Sequence, residues 1–283
     1  MADAPDTATV ALPHKVITPR RGWLAINWKE LWQYRELLYF LAWRDVTIRY
    51  KQTVLGILWA FIQPFLKMVV FTVIFGRLMK IDFGEHIPYA VGMFAGLLPW
   101  QFFSESLMRS SSSVAGSANL ITKVYFPRLI VPLSSAGACL VDFGISFIIL
   151  FGLMLYYGVH FTLATLAIFP LVLLTVVAAL GTGILLSALH ASYRDFQYVV
   201  PFAIQLWMFA TPVIYPVKIV PPKWQWLLSL NPMSGIVDAY RSAILGKPFA
   251  WGNLAISTVV AVVILAAGLF CFRRVESNFA DIV

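Results

Sequence analysis

The sequence predicts an all-α integral membrane protein: six transmembrane helices, preceded by an N-terminal amphipathic helix lying in the membrane interface. Three observations carry this expectation. Of the 283 residues, 60% are hydrophobic and 12% charged, about half the charged share of a usual soluble domain. The apolar residues come in blocks of spanning length rather than at the amphipathic spacing of a soluble core helix. From Thr53 to Phe75 only Lys67 is charged, a run long enough to cross a hydrocarbon core of roughly 30 Å as a helix.

Taken in order, 1–27 reads as a cytosolic tail. It lacks the basic-then-apolar pattern of a cleaved signal peptide, so the first span is expected to direct insertion itself. Residues 28–52 form the interface helix. Arg44, Asp45, Arg49 and Lys51 alternate there with Phe40, Leu41, Trp43, Val46, Ile48 and Tyr50, which suits an apolar side in lipid and a basic side at headgroups. A turn at 52–56 leads into the spans, expected at 54–77, 88–108, 131–157, 163–189, 197–215 and 253–272, each near the usual ~20 residues. The fifth is the least regular. The stretch 216–250 after it is too polar and proline-rich for a plain span.

Lys and Arg set the orientation. The basic residues of 1–51, 109–128, 194 and 273–274 outnumber Arg77, Lys80, Lys218, Lys223, Arg241 and Lys247 on the other side, which places both termini in the cytosol. The net charge of +8 therefore gathers at membrane edges, and nucleic acid is not an expected partner. The cytosolic connection 109–132 holds three basic residues and no acid. Within it, 120–125 is expected to form one short helix ended by Pro127, with Leu120, Ile121, Val124 and Tyr125 available to a cytosolic partner.

Individual residues narrow the chemistry. Trp59, Gln63 and Lys67 share one face of the first span around Pro64, which is expected to kink it. Lys67 either lines a polar cavity or snorkels outward. Glu105 and Arg109 stand at i, i+4 spacing, and Asp142 sits inside the third span, where packing against a polar group of another helix is the expected account. Tyr193, Arg194 and Asp195 end the fourth span in a loop. Pro201, Pro212, Pro216, Pro221, Pro222 and Pro232 break 201–246 into short helices, a backbone tolerated at membrane depth only under cover of protein or water. Its aromatics read as an interfacial belt, or else Trp207, Phe209 and Tyr215 offer flat faces to a sugar ring. Cys139 and Cys271 read as small buried hydrophobes. His14, His86, His160 and His190 are scattered, so no metal site is expected. No G-x-x-x-x-G-K-[ST] motif and no nucleophilic or paired-carboxylate arrangement appears, so no nucleotide hydrolysis or other catalysis is expected of this chain.

Five segments carry a family resemblance: WRDVTIRYKQTVLGILWAFIQP (43–64), GLLPWQFFSESLMRSS (96–111), ANLITKVYFPRLIVPL (118–133), YRDFQYVVPFAIQLWMFATPVIYP (193–216) and LNPMSGIVDAYRSAILG (230–246). They resemble the membrane subunit of polysaccharide ABC exporters, most nearly the Wzm-like O-antigen permeases. The resemblance implies a homodimeric channel in the bacterial inner membrane with two copies of a cytosolic ABC ATPase subunit beneath it. ATP and Mg would be held there, with no cofactor in this chain. It implies a six-helix permease domain over 53–283, with a coupling segment at 118–128 (Asn119, Leu120, Ile121, Thr122, Lys123, Tyr125) and re-entrant helices at 217–246. The substrate would be an undecaprenyl-pyrophosphate-linked polysaccharide, its pyrophosphate met by Arg44, Arg49 and Lys51. The first and fifth spans would line the channel, with Trp59, Gln63, Lys67, Trp207, Phe209 and Tyr215 as the lining candidates. Three other readings remain: a small-molecule ABC exporter permease, an integral-membrane glycan transferase, which needs a catalytic cluster not found, and an ion-coupled transporter using Asp142 and Lys67.

Overall fold

A computed structural model describes residues 28–51, 53–84 and 87–276, and the expected cytosolic tail lies outside them. Those residues form helices and connections, with no strand among them. The segment expected to lie in the interface folds as two helices, α1 (Trp28–Gln33) and α2 (Arg35–Lys51). The helical hydrogen bonding runs on through the joint, Tyr34 N donating to Glu30 O and Leu38 N to Tyr34 O. Trp32, Tyr39, Phe40, Trp43 and Ile48 face outward, as an apolar side in lipid requires. Leu41 turns inward and packs with Val114, Ile121, Phe126, Leu129, Ile130, Ile184 and Phe272 in a core at one end of the bundle.

After the turn come α3 (Leu58–Phe71), a π-helical stretch (Thr72–Leu78), α4 (Tyr89–Gly116), α5 (Ala118–Lys123) and α6 (Ile130–Tyr156). A 3-10 turn (Leu163–Ala167) leads into α7 (Ile168–Ser192), followed by α8 (Phe196–Ala210). The chain ends with α9 (Pro222–Ser229), α10 (Pro232–Leu245) and α11 (Trp251–Glu276). Pro64 does not end α3. The helix runs through it and widens into the π stretch at Thr72.

Among the described residues, four helices are long and apolar enough to cross a membrane: Leu58–Leu78, Ile130–Tyr156, Leu163–Ser192 and Trp251–Glu276. The expected spans at 88–108 and 197–215 fold as helices of a different kind. Helix α4 is long but carries Gln101, Glu105, Arg109 and a run of serines, and most of its residues are buried. It can hold polar groups because neighbouring helices, not lipid, cover it. Helix α8 is 15 residues long, stopped by the turns around Pro212 and Pro216.

Helix α4 is sandwiched by α6 and α7, and α7 by α4 and α11. The α7–α11 crossing is a backbone contact: a Cβ on Gly268 would lie 2.5 Å from the carbonyl oxygen of Gly181, and one on Gly181 would lie 2.7 Å from the amide of Leu265. Small residues permit such approach, and dispersion between the backbones then holds the pair together where no hydrophobic drive operates between helices. The region after α8 is built by capping. Asn231 accepts from Met233 N at 3.0 Å and donates to Thr211 Oγ1 at 2.8 Å, Pro232 opens α10, and Gly246 closes it at φ +65, the left-handed conformation that favours glycine. Helix α10 lies deep, with Met233, Ile236, Val237, Tyr240, Ala243 and Ile244 fully enclosed against α4, α7 and α11.

Candidate functional site

Three consequences of that packing create a polar cavity. Helix α2 docks along α6, so its last turn delivers Arg49 and Tyr50 over Asp142. Helix α3 is loosely held, with only Ala60, Pro64 and Met68 buried, one row at i, i+4 spacing. The next row, Trp59, Gln63 and Lys67, therefore faces the gap toward α4 and α6. Those three residues join Arg49, Tyr50, Gln101, Ser104, Glu105, Arg109, Asp142 and Ser146 around a space of about 410 Å³.

The charges in its wall are arranged as a chain. Arg49 Nη1 pairs with Asp142 Oδ2, while Arg49 Nη2 lies 3.8 Å from Glu105 Oε1. Arg109 Nε donates to the same Glu105 oxygen at 2.7 Å. Tyr50 OH donates to Asp142 Oδ1, and Ser146 Oγ donates to the Asp142 carbonyl at 2.9 Å. Burial raises the Tyr50 hydroxyl above its ordinary 10.0, against the opposing pull of Arg49, so the phenol stays protonated and serves as donor. Asp142 stands twelve residues into α6, roughly 18 Å along the helix. A bare carboxylate there is costly, and the guanidinium and phenol offset that cost. Lys67 forms no ion pair among the described residues. Arg49 Nε and Nη2 are buried without a hydrogen-bond partner.

The cavity gathers Trp59, Gln63 and Lys67 as one face, and the Glu105–Arg109 pair forms as its spacing implies. Asp142 has the polar helix neighbour expected of it. Arg49, expected at headgroups, is instead turned inward, because α2 lies with that edge against α6. Arg44 pairs with its neighbour Asp45 at 2.9 Å, and Lys51 is exposed. Trp207 does not offer a free face: it packs edge-on against Phe103 at 5.2 Å and Trp100 at 6.4 Å, because α8 leans on α4. Phe209 is exposed, and Tyr215 OH donates back to its carbonyl at 3.0 Å. Neither reaches the cavity.

In the connection 109–132 the short helix starts two residues earlier than expected, at Ala118. Ile121 is not available to a partner, since it is one of the residues that seat this helix in the core. Leu120 is half-buried, and Asn119, Thr122, Lys123 and Tyr125 remain outward.

Arg241 was assigned to the outer basic residues by sequence and turns out to be a structural hub. Its guanidinium donates to the carbonyls of Gly92 at 3.0 Å, Pro212 at 2.6 Å and Tyr215 at 3.4 Å, and also to Val213. It rests on the Phe83 ring at 4.5 Å. Gly96 leaves it room, as a Cβ there would lie 2.8 Å from Nη2. The available signal was Pro212 and Pro216: prolines in a broken segment leave carbonyls without helical partners, and a buried fork of N–H donors satisfies several at once.

Comparison with known proteins fits this architecture. The model of the ABC-2 type transporter membrane family matches residues 36–245. A Myxococcus xanthus protein named O-antigen export system permease protein RfbA is 34% identical over 259 residues, 89% of this chain and 97% of its own. A Klebsiella pneumoniae protein of the same name is 26% identical over 88% of this chain and 95% of its own. The polysialic acid transport protein KpsM of Escherichia coli is 24% identical over 82% of this chain and 91% of its own. With a matched region that runs from α2 to the end of α10 and takes in every wall of the cavity, the chain belongs to the ABC-2 type transporter membrane family.

Proposed function

We propose that this chain is the passage-forming permease subunit of an exporter that moves an undecaprenyl-pyrophosphate-linked polysaccharide of O-antigen type across the bacterial inner membrane. The observation that carries the reading is the cavity: a polar space lined by three basic and two acidic side chains inside an otherwise apolar helical body, walled on one side by a helix that little else holds. The names of the relatives supply the cargo class. Two copies would enclose the passage, and two copies of a separate cytosolic ATPase would drive it, with ATP and Mg bound there. Both termini are placed in the cytosol.

The parts divide as follows. Arg44 and Lys51 meet the lipid pyrophosphate at the membrane surface, where charge-assisted hydrogen bonds to phosphate are strong. Trp59, Gln63 and Lys67 line the inner path. A sliding polymer must be held weakly at many places, which a shallow polar and aromatic wall does better than a deep pocket. Helices α9 and α10 form the re-entrant outer part. The outward face of 118–128 receives the ATPase stroke, while Ile121 transmits it into the core that also holds Leu41 and Phe272.

The test is reconstitution of the chain with the ATPase subunit in proteoliposomes, scored for glycan protection inside the vesicles. ATP-dependent protection of lipid-linked glycan supports the reading. Transport of amphipathic small molecules in place of glycan would replace it with drug export.

A further inference from the structure

We propose that the cavity is a saccharide site selective for a sugar unit carrying one negative charge, with Lys67 as its counter-charge, Trp59 as the stacking face and Gln63 and Gln101 as hydroxyl partners. This rests on the export reading and names the class of unit held at that place in the path.

The charges that line this cavity do not balance. Five ionised side chains line it: Arg49, Lys67, Arg109, Glu105 and Asp142. Two cations are spoken for, Arg49 by Asp142 and Arg109 by Glu105. The cation left over is Lys67, which stands in an apolar helix with no acid paired to it among the described residues. An intramembrane lysine without a counter-ion is costly, and an anionic ligand group beside it relieves that cost. One uncompensated charge matches one anionic group. A diphosphate brings more negative charge than that, and both acids of the wall oppose it.

The remaining lining selects a polyhydroxylated ring over a bare ion. Gln63 and Gln101 each present donors and acceptors, as sugar hydroxyls do. Ser104 donates its hydroxyl to the Gln101 backbone carbonyl at 3.1 Å, and the Gln101 side chain lines the cavity. Trp59 is 41% exposed, and its indole offers a flat apolar surface to ring C–H groups. The volume of about 410 Å³ falls within the ~300–1,000 Å³ of small-molecule sites.

The single negative charge could be the carboxylate of an acidic sugar or a phosphodiester on the sugar; a phosphate monoester carries nearly two charges at neutral pH. Full-length chain in nanodiscs is titrated with glucose, glucuronate, the methyl phosphodiester of glucose 1-phosphate and dimethyl phosphate, read by the fluorescence change that Trp59→Phe removes. At least one anionic sugar is expected to bind roughly tenfold tighter than glucose. Lys67→Gln is expected to erase that preference and Lys67→Arg to keep it. Preference for glucuronate alone assigns a carboxylate, and preference for the sugar phosphodiester alone assigns a phosphodiester. Equal binding of glucose, dimethyl phosphate binding as well as either anionic sugar, a preference unchanged in Lys67→Gln, a signal that survives Trp59→Phe, or no binding would each overturn the proposal. If the wild type exports glycan yet shows no charge preference, this inference fails and the export reading stands. If it exports no glycan, the export reading fails whatever the sugars do.

Discussion

Replacing Arg241 by Met removes the donor to four backbone carbonyls at once while keeping an unbranched side chain. The carbonyls of Gly92, Pro212, Val213 and Tyr215 lie where no water replaces the lost N–H groups, because Arg241 is itself 4% exposed. A buried hydrogen bond to a charged group contributes about 1.5–3 kcal/mol, and a buried carbonyl left unpaired costs about 1–3 kcal/mol. The four bonds share one guanidinium and do not add, so about 4 kcal/mol in total is the expectation. Near 2–4 °C per kcal/mol for a chain of this size, the detergent-solubilised protein should lose about 10 °C in its thermal midpoint, followed by size-exclusion recovery after heating. Arg241→Lys keeps a charge with three donors on one point and should fall between the two, because an ammonium lacks the planar fork. A midpoint for Arg241→Met within about 2 °C of wild type would refute the claim that this side chain holds the α8–α9 turn against α4.

Other perturbations follow from the same geometry. Arg49→Leu and Asp142→Leu should each destabilise by about 3 kcal/mol, since each strands the other charge in a low-dielectric setting. The double variant should recover at least about 1 kcal/mol of the sum in a thermal double-mutant cycle, and full additivity would contradict a direct pair. Gly268→Val drives a side chain into the Gly181 carbonyl at an approach where neither backbone can yield. It should cost about 1–3 kcal/mol or more, read as loss of monodisperse protein on extraction. Ile121→Asp should abolish folded protein, because it places a charge in a closed apolar core. Tyr125→Asp, at 58% exposure, should lower the thermal midpoint far less than Ile121→Asp does and uncouple ATP hydrolysis from export. Retained export with normal assembly would remove 118–128 from the coupling role.

Much of this was legible because a membrane simplifies the code. Apolar runs of spanning length fix α3, α6, α7 and α11 without reference to neighbours, since lipid asks only for length and apolarity. Local chemistry was equally direct: Glu105 and Arg109 are adjacent by helical spacing alone, and so are Trp59, Gln63 and Lys67. What a linear pattern does not carry is which neighbour covers a face. Helix α4 resembles a weak span by hydropathy and is in fact a protein-enclosed helix whose buried Ser106, Ser110 and Ser113 give close packing in place of apolarity. Arg49 and Arg44 are five residues apart in one basic stretch. Only the docking angle of α2 on α6 decides that one turns inward to Asp142 while the other stays outside. Arg241 and Trp207 follow the same rule, with partners far away in sequence on α4 and in the proline-broken turns.

The central claim is that the cavity beside α3 lies on the path of the exported polymer. A benzophenone amino acid placed at Gln63, with a control at exposed Leu173 on α7, away from the cavity, tests it in proteoliposomes containing the ATPase partner and lipid-linked glycan. Illumination during ATP turnover is expected to give glycan adducts at Gln63, dependent on ATP and absent at Leu173. Active export with no adduct at Gln63, or with equal adducts at both positions, would contradict the account.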